Sequence, residues 1–182
     1  MQMSKLISRR LTASEFEDEL GSLFREIFSY AGCKLETFRK SDWRTVLVPY
    51  GCNMAQSDRQ GLVSAIVTCG DQEVVIRDVE SLSPSVAAIV VPTSSNALAA
   101  LAGTDFAIMD THWFGQSKRW GCVNAASLDD ILIVGGDAEF IRSFTEAVGG
   151  VEALRDRFVR FSKTEWSIEH EIRQKILGLP DW

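Results

Sequence analysis

Residues 105–148 constrain the fold of this chain more than any other stretch. They read as strand, tight loop, strand, turn, strand and helix, with strands over 106–110, 119–126 and 131–134 and a helix over 138–148. Side chains alternate along a strand, so Ile131 and Ile133 share one face and Leu132 and Val134 the other. All four are apolar, which predicts a central strand covered on both sides. In the preceding strand Trp120, Cys122 and Asn124 share a face. Gly121, Val123 and Ala125 form the opposite one, where small side chains admit a packed helix. The polar run Ser127-Leu128-Asp129-Asp130 suits a hairpin turn. After Gly135-Gly136, Asp137 is a good N-cap, and Phe140, Ile141, Phe144 and Val148 recur at helical spacing. No GxGxxG pattern and no Walker lysine accompanies the paired glycines, so they read as a strand-to-helix turn.

The rest of the chain supplies further elements. Thr12-Ala13-Ser14-Glu15 is a capping box. It opens a helix carrying Phe16, Leu20, Leu23, Phe24, Ile27 and Phe28, with Gly32 as its expected stop. A strand follows over 43–50, and Pro49 puts its end at a sheet edge or outside the ladder. Ser57-Asp58-Arg59-Gln60 resembles a second capping box, and Gly70 closes that helix. Strands are expected over 73–79 and 86–91, and a short helix over 94–101 capped by Thr93 or Ser94. Two helices end the chain. The first carries Val151, Leu154, Phe158 and Phe161, and the second is capped by Thr164. The expectation is a single α+β domain over 1–182. Its sheet has five or six strands, mostly antiparallel, with packed helices, and a C-terminal β-meander is followed by helices.

Charge bears on function. The net charge is −6, and residues 51–150 carry twelve acidic side chains against five basic ones. Such a field disfavours nucleic acid and anionic membranes and favours basic partners, although solubility alone also accounts for it. No apolar run is long enough to span a bilayer and the first ten residues lack an apolar signal core. Cys33, Cys52, Cys69 and Cys122 show neither zinc nor disulfide spacing, so four reduced thiols in a cytoplasmic protein are expected.

No catalytic signature is present: no HExxH, no GxSxG, no EF-hand loop and no kinase set. No metal site and no cofactor is predicted, and no residue is assigned a catalytic role. His170 reads as a solvated residue of the last helix. His112 lies two residues from Asp110 and could orient a proton or pair with Cys122. The unusual feature is aromatic. Trp113 and Phe114 fall in what reads as a surface connection, where large aromatics anchor interfaces or fold back over a sheet edge.

Asp105-Phe106-Ala107-Ile108-Met109-Asp110, Arg119-Trp120-Gly121-Cys122-Val123, Ile131-Leu132-Ile133-Val134-Gly135-Gly136 and Glu139-Phe140-Ile141 together resemble a pattern of small bacterial immunity proteins. These are the antidotes of polymorphic toxin systems. Asn124-Ala125-Ala126 stands where those proteins carry an acidic or histidine-bearing strand. The resemblance covers less than half of the chain and brings no catalytic residue with it. It implies a cytosolic, non-enzymatic protein that binds and blocks a toxin. The leading expectation is thus an acidic protein-binding module, an inhibitor of a basic partner such as a toxin domain, with Asp110, Trp113, Asp129 and Asp130 as partner-binding residues. A small hydrolase-like enzyme using His112 with Asp110, and a structural adaptor subunit, remain alternatives.

Overall fold

The computed structural model describes residues 6–29, 37–79, 86–126 and 131–165. The fold is α+β, built on a seven-stranded sheet of order β1-β4-β3-β5-β6-β7-β2 in which every neighbouring pair is antiparallel. The strands are β1 (Arg9–Leu11), β2 (Arg44–Pro49), β3 (Glu73–Asp78), β4 (Ala88–Pro92), β5 (Thr111–Phe114), β6 (Trp120–Ala125) and β7 (Ile131–Gly136). The helices are α1 (Ala13–Ile27), α2 (Gln56–Thr68), α3 (Ser95–Leu101), α4 (Ala138–Ala147) and α5 (Val151–Glu165).

The β5-β6-β7 meander is the centre. Ile131 and Ile133 face α1, and Leu132 and Val134 face the opposite layer, as alternation requires. That opposite layer is α2, α3 and α4, whose Leu62, Ile66, Leu98, Leu101, Phe140 and Phe144 fill one core. Phe140 and Phe144 therefore pack on the side of Leu132 and Val134. The second core lies under α1, where Phe16, Phe24 and Phe28 meet Phe114, Val123 and Ile133. A Cβ at Gly121 would meet Ile27 and Phe28 at 3.0 Å, so the bare glycine lets α1 settle on the sheet. Helix α5 packs along edge strand β2. Its Leu154 joins one core and its Phe158 and Phe161 the other. That edge is therefore occupied, and the other ends in the three-residue, arginine-bearing β1.

Local chemistry sets most boundaries. The Thr12 capping box is present in full, Ser94 caps α3 by accepting from Ala97 N–H, and Asp137 caps α4 by accepting from Phe140 N–H. Helix α2 ends where Gly70 takes φ +87°.

Several expectations are corrected. The largest correction concerns residues 105–114. Asp105–Ala107 is a 3₁₀ turn, not strand. The strand lies further on, at Thr111–Phe114, hydrogen-bonded to β3 on one side and β6 on the other. Helix α2 starts at Gln56 with Ala55 as an uncapped N-cap, so Ser57 lies inside it. Helix α1 ends at Ile27, before Gly32. Thr164 lies within α5 rather than at a new start. Strand β1 was not anticipated. Gly32, Cys33, the 127–130 turn, Trp166, His170 and the last helix lie outside the described residues.

Candidate partner-binding surface

His112 and Cys122 are spent on the core. His112 is fully buried on the α1 side of β5, its ring 5.3 Å from that of Phe24 and 4.5 Å from that of Phe28. Its cross-strand partner is Val123, whereas Cys122 pairs with Trp113. His112 and Cys122 thus face opposite sides of the sheet, and a dyad between them is ruled out. Burial pushes the Cys122 thiol far above its ordinary range. The Cys69 thiol is pushed up to about 11, again chiefly by burial. None of Cys52, Cys69 and Cys122 is in a disulfide. No group of three or more potential metal ligands occurs among the described residues.

Trp113 is also placed differently from the expectation. It is fully buried in β5, and its Nε1–H donates to Thr111 Oγ1 at 2.9 Å. A side chain with no exposed surface cannot anchor a partner, so Trp113 serves the core. Phe114 is buried against α1 in the same way. Asp110, just before β5, is half-buried, and its carbonyl accepts from Val79 N–H at 3.0 Å. Asp129 and Asp130 lie outside the described residues. Ala125 and Ile131, on either side of that stretch, pair at the same sheet end as Asn124 and Thr111.

That sheet end carries the candidate surface. Pro49, the last residue of β2, pairs with Ile131 there. The 3₁₀ turn Gly51–Asn53 follows and touches the turn Asp105–Ala107. Asn124 ties the two connections together from inside the sheet. Its Oδ1 accepts from Cys52 N–H at 3.1 Å, and its Nδ2 donates to Met109 O at 3.0 Å. Hydrogen bonds from Ala107 N–H to Thr104 O and from Ile108 N–H to Asp105 O hold the second turn.

Ile108 projects from this scaffold and is 79% exposed. Beside it is a cleft of about 430 Å³ lined by Arg10, Asp78, Val86, Asp105, Phe106, Ile108 and Met109. Tyr50, 42% exposed, stands at the same sheet end and packs edge-on against Phe161 at 4.6 Å. Tyr50 takes φ +68°, a left-handed conformation that non-glycine residues rarely adopt, and Gly51 follows at φ +49°. Among the described residues, two of the three large exposed hydrophobics, Tyr50 and Ile108 but not Val67, therefore share one end of the fold.

The chain matches no protein-family model, no curated protein and no solved structure.

Asp105, Ile108, Asp110 and Tyr50 thus lie at one sheet end, whereas Trp113 belongs to the core. Sequence reasoning missed Ile108, since Phe106-Ala107-Ile108-Met109 reads as an apolar strand. The available signal was Thr104-Asp105 after Gly103, a turn-forming sequence that competes with strand.

Proposed function

We propose that this protein is a non-enzymatic, acidic protein-binding module, an immunity-type inhibitor that occludes a toxin or another basic partner. The observation that carries the reading is the exposed Ile108, held on a backbone-bonded turn between Asp105 and Asp110. An isolated isoleucine in water offers apolar area without helping the fold, and burying it in a partner yields about 2 kcal/mol. Ordered turns lose little freedom on binding, which leaves more of that gain as affinity. Flanking carboxylates attract a basic partner and fix its orientation. Asp129 and Asp130, which precede Ile131 in the sequence, remain partner-binding candidates in this reading through their charge alone. Occlusion would be the mechanism, with carboxylates meeting the cationic groups that otherwise hold a substrate.

Binding kinetics against a protein captured from the native host test the proposal. Ile108→Ala is expected to speed dissociation, because it removes buried area. Asp105→Lys with Asp110→Lys should slow association, and added salt should shrink that difference. Unchanged kinetics in variants with wild-type stability would remove this surface, and with it the reading.

A further inference from the structure

At the other end of β2 is a second cleft of about 490 Å³, formed where α4 and α5 meet. Arg44, Ala138, Ile141, Arg142, Thr145, Glu146, Gly150 and Val151 line it. Arg44 is the first residue of β2 and pairs with Gly136, so this cleft and the Ile108 surface lie at opposite sheet ends. Arg44 and Arg142 are exposed, and among the described residues neither makes an ion pair or a side-chain hydrogen bond. The wall is apolar at Ala138, Ile141 and Val151. Glu146 is the single acid in the lining, so the cleft carries net positive charge on a chain of net −6.

We propose that this cleft binds a small amphipathic anion, a carboxylate or phosphate joined to an apolar body. Three arguments support that class. The volume lies within the about 300–1,000 Å³ typical of small-molecule sites. Two guanidinium groups with no carboxylate partner are suited to a planar or tetrahedral oxyanion, which they can bind through paired N–H donors. The apolar part of the lining rewards a ligand with a hydrocarbon or aromatic portion, which inorganic anions lack. Val151, the first residue of α5, also lines the cleft, and first-turn amides add favourable potential for the anionic group. A free peptide or a nucleic acid would need a longer groove than these eight residues provide.

The probe is phenyl phosphate, titrated into the full chain at fixed ionic strength maintained with chloride, with amide chemical shifts recorded. Saturable shifts centred on Gly150 and Val151 are expected. Inorganic phosphate should bind at least about tenfold more weakly, since it lacks the apolar body, and neutral benzyl alcohol likewise, since it lacks the charge. Arg44→Gln with Arg142→Gln should weaken phenyl phosphate by about tenfold or more. Both positions are exposed and unpaired, so the fold should survive, and an unchanged amide spectrum checks this. The proposal fails if shifts do not saturate or lie elsewhere. It fails equally if the double variant binds as well as wild type, or if inorganic phosphate binds as tightly as phenyl phosphate.

Discussion

Replacing Asp71 with alanine should destabilise the protein by about 2–5 kcal/mol, although the residue precedes β3 and belongs to no strand or helix. Three donors converge on its carboxylate. Ser117 N–H reaches Oδ1 at 2.9 Å, and Ser117 Oγ–H and Trp120 Nε1–H reach Oδ2 at 2.6 and 2.7 Å. Asp71 is 5% exposed and Trp120 fully buried. The indole N–H cannot recover a water, and leaving it unsatisfied costs about 1–3 kcal/mol. Ser117 is half-buried and finds water more readily, so its two charge-assisted bonds contribute about another 1–2 kcal/mol between them. Together these pin the β5–β6 turn to the connection between α2 and β3. Gly115 is part of the same device, because a Cβ there would collide with the Asp71 carboxylate. Urea unfolding of Asp71→Ala at pH 7 reads the loss directly, provided the denaturant slope is unchanged. A loss below about 1 kcal/mol would show that the turn is held by its strands alone. Asp71→Asn, which keeps one acceptor, should fall between the variant and wild type.

Other outcomes follow from the packing and the charges. Phe140→Ala and Phe144→Ala should each cost about 3–5 kcal/mol in denaturation, as buried aromatics do, and near-wild-type midpoints would contradict the α4 packing. Trp113→Ala should cost a similar amount, about 3–5 kcal/mol. Below its lowered melting temperature the folded fraction should bind any partner as wild type does, and a selective loss of binding would refute the buried assignment. Burial raises the Asp137 pKa, but the bond from Arg119, the Phe140 N–H and the Arg119 charge outweigh it, so the net shift is below the ordinary 3.8. Its stabilisation is therefore present above that value and lost as pH falls through the lower folded-state pKa. Asp137→Asn, which keeps a capping oxygen, should be less stable than wild type near pH 6, and the gap should close in acid. A gap independent of pH would exclude the ion pair with Arg119.

The legible parts of the sequence were those where one residue decides. Thr12 with Glu15, Asp137 before Phe140, and Gly70 after α2 each fix a boundary by a hydrogen bond or a backbone angle within a few residues. Central β7 was equally readable, because four apolar residues in a row leave no exposed face. Strand β5 was not. Its partners β3 and β6 satisfy its backbone, and a histidine beside two aromatic residues after Asp110 looks like a loop when those partners are unseen. The run before it looks more like a strand than it is, and that exchange hid Ile108 and misplaced Trp113. Strand β1 is too short and too charged for any periodicity, and only β4, far along the chain, makes it a strand. In the candidate site, Asp110 was legible only as a charge, and its place at the same sheet end as Ile108 was not. Ile108 and Tyr50 were not, since exposure is a property of the assembled loops rather than of either residue.

Asn124 holds the Ile108 end of the sheet by main-chain atoms of other residues, the N–H of Cys52 and the carbonyl of Met109. Main-chain atoms are the same whatever side chain is attached. Substitutions at Asp105, Ile108 or Asp110 can therefore rewrite the chemistry of the surface without loosening the staple that shapes it. Those outward residues are free to be exchanged while Asn124 stays fixed. Variation concentrated in 105–110 around an invariant position 124 is the evolutionary record such a design would leave.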